Sequence, residues 1–149
     1  MKRKALFAGT FDPFTIGHDA IVRRSLQITD ELIIGIGVNP EKNTLFSLSQ
    51  RMENISRIYE SLPNISVASF HTLTVDFAKQ SGVDFIIKGI RNLHDFEFEK
   101  NMSDINRLLS GIETVFLFSD PQYASISSSL IRELIMYNKD ISNLIPVTK

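Results

Sequence analysis

Cysteine is missing from all 149 residues. Disulfides, thiolate catalysis and Cys-ligated zinc are thereby excluded, and a reducing cytoplasm is the expected location. An excess of charge of either sign is missing too. Sixteen lysines and arginines stand against 17 aspartates and glutamates, a formal net charge of −1. A polyanion-coating surface needs a basic patch, and only Lys2-Arg3-Lys4 resembles one; that run reads as a solvated N-terminus. Nucleic acid is therefore not an expected partner. No apolar stretch of signal-peptide type follows the run, and no segment approaches the ~20 apolar residues of a membrane span. No membrane partner is expected. Internal repeats, linkers and low-complexity segments are absent as well.

What is present is an ordinary globular composition, 43% hydrophobic and 22% charged, in a chain long enough for one domain, residues 1–149, with a substantial core. Apolar, β-branched runs alternate with helical patterns. Strands are expected at 4–8, 31–38, 65–70, 83–88 and 114–118. Residues 31–38 are apolar almost throughout, which suits a parallel strand covered on both faces. Helices are expected at 19–28, at 48–62 behind a Ser47/Gln50 capping box, at 75–80 capped by Thr74, at about 95–109 capped by Asp95, and at 127–137. A short helix is expected near 141–144. In the helix from Asp95, Phe98, Met102, Ile105 and Leu109 share one face. The alternation specifies a doubly wound, Rossmann-like α/β fold with a five-stranded parallel sheet. Such sheets bind ligands beyond the carboxyl ends of their strands.

The loops at those ends carry a consistent set of groups. Residues 9–18, Gly-Thr-Phe-Asp-Pro-Phe-Thr-Ile-Gly-His, run from the first strand to the first helix and supply Thr10, Thr15 and His18. Asp12, before Pro13, reads as a turn residue. Later loops supply Lys42, then Thr72 and Thr74, then Lys88 and Arg91, then Ser127-Ser128-Ser129. Taken singly, most have an ordinary reading: a histidine at a helix start, a solvated lysine, a threonine or serine cap. Lys88 is harder to dismiss, because a charge closing an apolar strand needs a partner. One anion in the cleft would explain them all. No nucleophile–base pair and no paired carboxylates occur, which suits phosphoryl or nucleotidyl transfer by positioning and charge stabilisation. Neither GxGxxG nor GxxxxGK[ST] is present, so the dinucleotide and P-loop readings fail.

At these residues the chain resembles a known family. Thr15-Ile16-Gly17-His18, behind Gly9-Thr10-Phe11-Asp12-Pro13, resembles the T/HxGH signature of nucleotidyltransferases. Ile126-Ser127-Ser128-Ser129-Leu130-Ile131-Arg132 resembles their second, ISSxxxR/K signature. Lys42, Lys88-Gly89-Ile90-Arg91 and Asp95-Phe96-Glu97-Phe98-Glu99 make the likeness closest to bacterial phosphopantetheine adenylyltransferases, from Ala5 to about Pro146. The resemblance implies reversible adenylyl transfer from ATP to 4′-phosphopantetheine in coenzyme A biosynthesis, with Mg2+, in a homohexamer built as a dimer of trimers. It implies catalytic roles for Thr10, His18 and Lys42. ATP would be bound by Thr10, Phe11, His18, Gly89, Ile90, Arg91 and Glu99, and by Ala124, Ser125, Ile126, Ser127, Ser128, Ser129 and Leu130. The acceptor would be bound by Thr10, Lys42, Thr74 and Lys88. No residue is expected to ligate metal directly. Departures from the family pattern are Lys88 for a usual arginine, Phe98 for a common tyrosine, and the pair His71-Thr72. The alternatives are another nucleotidyltransferase, acting on nicotinate mononucleotide, glycerol phosphate or choline phosphate, or a non-catalytic nucleotide sensor.

Overall fold

The computed structural model describes residues 1–148. Five strands, β1 (Lys4–Gly9), β2 (Glu31–Gly37), β3 (Ile65–Phe70), β4 (Phe85–Ile90) and β5 (Glu113–Phe118), form one sheet in the order β3-β2-β1-β4-β5. Every pairing is parallel. The helices are α1 (Ile16–Ser25), α2 (Leu48–Ile58), α3 (Thr74–Gln80), α4 (Leu93–Ser110) and α5 (Ser128–Met136), with a 3₁₀ turn at Pro121–Tyr123.

The strand sequences dictate the layers. In β1 every residue from Ala5 to Ala8 is buried, and alternation sends them to opposite faces. Ala5 and Phe7 join Leu32, Ile34 and Ile87 under α1 and α2, through Ile21, Val22 and Ile55. Leu6 and Ala8 join Ile33 and Ile86 on the other face, against Ala78 of α3. Each buried Leu, Ile, Val or Phe among them stabilises the fold by roughly 1.5–3 kcal/mol.

The order places the switch point between β1 and β4. The chain winds outward from β1 to β3, then returns across the sheet to β4 and winds the other way. The loops after β1 and β4 diverge and leave a crevice at the carboxyl edge. Gly89 in β4 lets α1 come close, since a Cβ there would lie 3.1 Å from Ile21 Cγ1.

Several element ends differ from the sequence expectation. Helix α1 begins at Ile16, so Gly17 and His18 lie in its first turn and the connecting loop is only 10–15. Strand β4 runs on to Ile90, so Lys88, Gly89 and Ile90 are strand residues. The cap of α4 is Asn92, whose side chain accepts from Asp95 N at 2.9 Å, leaving the Asp95 carboxylate free for another partner. The cap position of α3 is Leu73, and Thr74 is its first helical residue, with no capping bond from a side chain. Segment 141–144 is a turn closed by Leu144 N to Ile141 O at 2.8 Å, not a helix.

Helix α4 has no buried residue at all. The face that carries Phe98, Met102, Ile105 and Leu109 is exposed, and Leu108 beside it is 81% exposed.

Candidate active site

The crevice is a cleft of about 420 Å³ walled by the loop after β1, the first turns of α1 and α5, and the end of β4. His18 is its most constrained polar group. Thr15 caps α1, accepting from His18 N at 3.2 Å, while the His18 ring answers by accepting from Thr15 N at 2.9 Å through Nδ1. This is a capping box with histidine in the place usually taken by Glu or Gln, which is why the helix starts three residues before the sequence pattern suggested. With Nδ1 occupied as an acceptor, the neutral ring carries its proton on Nε2. The rings of Phe7, Phe11 and Phe14 surround it, with Phe11 edge-on at 5.0 Å. Burial, and then the charge of Arg91, push the His18 pKa down to about 4. The ring is therefore a neutral donor at physiological pH.

The helix end itself is less open than a bare N-terminus. Ile16 N donates to Leu144 O at 2.9 Å, so segment 141–144 satisfies one first-turn amide. His18 N is used by the Thr15 cap. Gly17, which lines the cleft, has the remaining first-turn amide.

Three sequence elements bring cations to this space. Lys42 sits in a turn where its amide donates to Asn39 O at 3.0 Å and Glu41 N donates to the Asn39 side chain at 3.0 Å. Its Nζ donates to Thr10 Oγ1 at 3.3 Å. Lys88 donates to Ala8 O at 3.4 Å and lies 3.8 Å from Glu99. Arg91 pairs with Asp95 at 2.9 Å. Both acidic partners come from α4, so its first two turns restrain the cations of β4 and of the loop behind it.

The serine triplet divides its labour. Ser127 Oγ caps α5, accepting from Leu130 N at 3.1 Å. Ser128 Oγ donates to Pro13 O at 2.8 Å and ties α5 to the loop after β1. Ser129 Oγ accepts from Arg132 at 3.1 Å. The hydroxyl hydrogens of Ser127 and Ser129 remain available to a ligand.

Of the residues singled out from sequence, Thr10, Phe11, His18, Lys42, Lys88 and Gly89 line this cleft. Arg91, Glu99, Ile126, Ser127, Ser128 and Ser129 line it too. Ile90, Ala124, Ser125 and Leu130 do not: Ile90 is buried at the end of β4, and Leu130 contributes its amide to the Ser127 cap. Thr74 lies in a smaller recess of about 90 Å³ that shares Lys88 and Glu99 with the main cleft. Thr114, whose Oγ1 is buried without a partner, lines the same recess.

Sequence reasoning gave three residues no place among the site residues. Asp12 is a buried carboxylate that accepts from Leu45 N and Phe46 N, each at 2.8 Å, rather than a turn residue alone. Arg132 donates to Asp12 O at 2.8 Å. Arg51 is buried and reaches Thr10 O at 2.9 Å. A signal for Arg51 existed: it falls three residues after Leu48 and four before Ile55, inside the apolar stripe of α2.

Fold and cleft together define a nucleotidyltransferase. The sequence model of the family described as cytidylyltransferase-like matches residues 6–134. Among solved structures, a bifunctional NMN adenylyltransferase/ADP ribose pyrophosphatase from Francisella tularensis has the same fold, with a TM-score of 0.78 at 15% identity. The match covers 100% of this chain and 46% of that one. The same enzyme complexed with AMP and a manganese ion gives 0.72. Curated relatives narrow the class. The phosphopantetheine adenylyltransferase of Bacteroides thetaiotaomicron is 54% identical over 97% of this chain and 95% of its own length. That of Bacteroides fragilis is 52% identical, over 97% of this chain and 96% of its own length. The chain belongs to the phosphopantetheine adenylyltransferase family.

Proposed function

We propose that this chain transfers the adenylyl group of ATP to 4′-phosphopantetheine, giving dephospho-CoA and pyrophosphate, as a step of coenzyme A biosynthesis. The observation that carries the reading is a neutral histidine, locked as an Nε2–H donor, facing Lys42, Lys88 and Arg91 across one cleft. An oxygen of the acceptor phosphate attacks the α-phosphorus. The bond from that phosphorus to the bridging oxygen breaks, and pyrophosphate leaves with the electron pair. The attacking phosphate is already nucleophilic at neutral pH, so no general base and no covalent enzyme intermediate are needed. The protein has to hold two anions together, and the cations and helix ends offset their repulsion.

In this reading Thr10 and Lys42 hold the acceptor phosphate at the α-phosphorus, and His18 donates to an oxygen that gains charge in the transition state. Thr10, Phe11, Gly89, Arg91 and Glu99 line the ATP side, closed by Ile126, Ser127, Ser128 and Ser129. Lys88 and Thr74 direct the rest of the acceptor into the adjoining recess. Magnesium would enter with ATP and screen the charge of its phosphates, with no side chain of the cleft required to hold it. The donor set suits that arrangement, since Asp12, Asp95 and Glu99 already hold partners. Among the described residues no three His, Asp or Glu side chains converge on a metal position.

The whole chain works as one nucleotidyltransferase domain in the cytoplasm, assembled as a homohexamer of two trimers. The exposed apolar row on α4 supports the assembly. No helix among the described residues is long and apolar enough to cross a membrane.

The test is pyrophosphate release with ATP plus 4′-phosphopantetheine, compared against ATP plus nicotinate mononucleotide, and with CTP plus glycerol phosphate as a third arm. Turnover with phosphopantetheine alone supports the reading. Turnover with nicotinate mononucleotide and none with phosphopantetheine overturns it.

A further inference from the structure

Among the described residues, two charged side chains are buried almost completely, Asp12 at 2% and Arg51 at 5% exposure. Neither has a part in the transfer chemistry above. A charge taken out of water is tolerated only when its hydrogen-bonding capacity is met, so the partners show what each is for. Both grip the same short piece of backbone. The two Asp12 oxygens each accept one amide, from Leu45 and from Phe46, at 2.8 Å. Arg51 donates through Nε to Phe46 O at 3.2 Å and through a terminal nitrogen to Thr10 O at 2.9 Å. The loop between β2 and α2 is mostly exposed, Leu45 included, and without regular structure. The backbone of Leu45 and Phe46 is where these buried charges tie it down, and Lys42 lies three residues upstream of Leu45.

We propose that Asp12 and Arg51 are positioning residues. They latch segment 45–46 onto the loop after β1 and so hold the Lys42 ammonium over Thr10, where the acceptor phosphate binds. Arg51 fixes both ends of that contact, since it holds the Thr10 carbonyl and the Phe46 carbonyl at once. This inference rests on the reading of Lys42 as the acceptor-phosphate ligand. Asp12 also lies 4.0 Å from Arg132, so Arg51, which has no contact with the serine-capped helix, is the cleaner position to alter.

The experiment is a kinetic cycle with ATP and 4′-phosphopantetheine on Asp12→Asn, Arg51→Lys, Lys42→Ala and the two doubles with Lys42→Ala. Arg51→Lys keeps the charge but cannot span both carbonyls. Each latch variant should raise the KM for phosphopantetheine by about ten-fold in the parent, with the KM for ATP changed by less than about two-fold in Arg51→Lys, and should add almost nothing once Lys42 is alanine. An equal factor in both backgrounds marks a merely structural role and overturns the latch. If Lys42→Ala leaves the acceptor KM unchanged, the Lys42 assignment itself fails. Amide hydrogen exchange then judges the latch separately. Leu45 and Phe46 should lose protection in Asp12→Asn while β2 keeps its own; retained protection at 45–46 overturns the inference whatever the kinetics show.

Discussion

His18 is decided by two hydrogen bonds and three phenyl rings. Its Nδ1 is committed to the Thr15 amide, so the ring can donate from Nε2 but has no free lone pair with which to act as a base. His18→Ala should therefore fold and bind ATP nearly as the parent does, yet lose turnover by about 10²–10³-fold, the usual loss for one transition-state donor; single-turnover kinetics and ATP titration separate the two effects. The low pKa has a consequence for stability. The folded-state value is about 4 and the ordinary histidine value 6.5, so the unfolded chain takes up the proton first. The contribution of the neutral ring is complete above about pH 6.5 and is lost as pH falls toward 4, by about 3 kcal/mol in all. Urea denaturation at pH 7.5 and pH 4.5 should show that loss in the parent and a smaller one in His18→Gln. Between pH 6.5 and 8, turnover should carry no limb assignable to His18.

At the scale of elements, the site is a set of helix starts held in register by side chains. Thr15 and His18 close the first turn of α1, and Ser127 closes that of α5. Ser128 joins the two by its bond to Pro13 O. Thr15→Ala removes one cap bond and should lower unfolding free energy by about 1 kcal/mol. The ring of His18 keeps the 2.9 Å bond from the Thr15 amide when the hydroxyl contact at 3.2 Å is lost, so turnover should fall far less than in His18→Ala; chemical denaturation and kcat measured on the same preparation test this. In β4, Lys88 stands between Ala8 O and Glu99. Lys88→Ala leaves the Glu99 carboxylate facing the cleft without its cation. It should raise the KM for phosphopantetheine more than that for ATP, and Lys88→Arg should restore it.

At the scale of the whole molecule, α4 presents an apolar row to solvent. Ile105 is 52% exposed and Leu109 58%, in line with Phe98 and Met102. A contiguous exposed patch of this kind is the surface that the proposed assembly would cover. Sedimentation velocity should find an assembly of the size of six chains. Ile105→Glu with Leu109→Glu should shift it to smaller species without unfolding the sheet, as followed by circular dichroism. A parent that sediments as one chain removes the hexamer.

The local order of this protein is written in its sequence. Unbroken apolar runs at β1 and β2, the Ser47 capping box and the turn chemistry between them are short-range effects, fixed by residues a few positions apart, and they specify five parallel strands with helices between. The chemistry of the cleft was legible for the same reason: each strand-end loop displays its own cation or hydroxyl, and a doubly wound sheet gathers those loops at one edge. Contacts between distant segments were not legible. Asp12 reads as a turn residue until Leu45 and Phe46 are placed against it, and the partner of Arg51 is unknown until Thr10 O is found within reach. The apolar stripe of α4 has the periodicity of a core helix, and periodicity cannot say what will cover it. Thr74 looks like a cap because only the backbone angles put Leu73 there instead. Composition and spacing set which groups reach the cleft; burial, which depends on segments remote in the chain, decides which of them are neutral, which are charged and which merely hold the others in place.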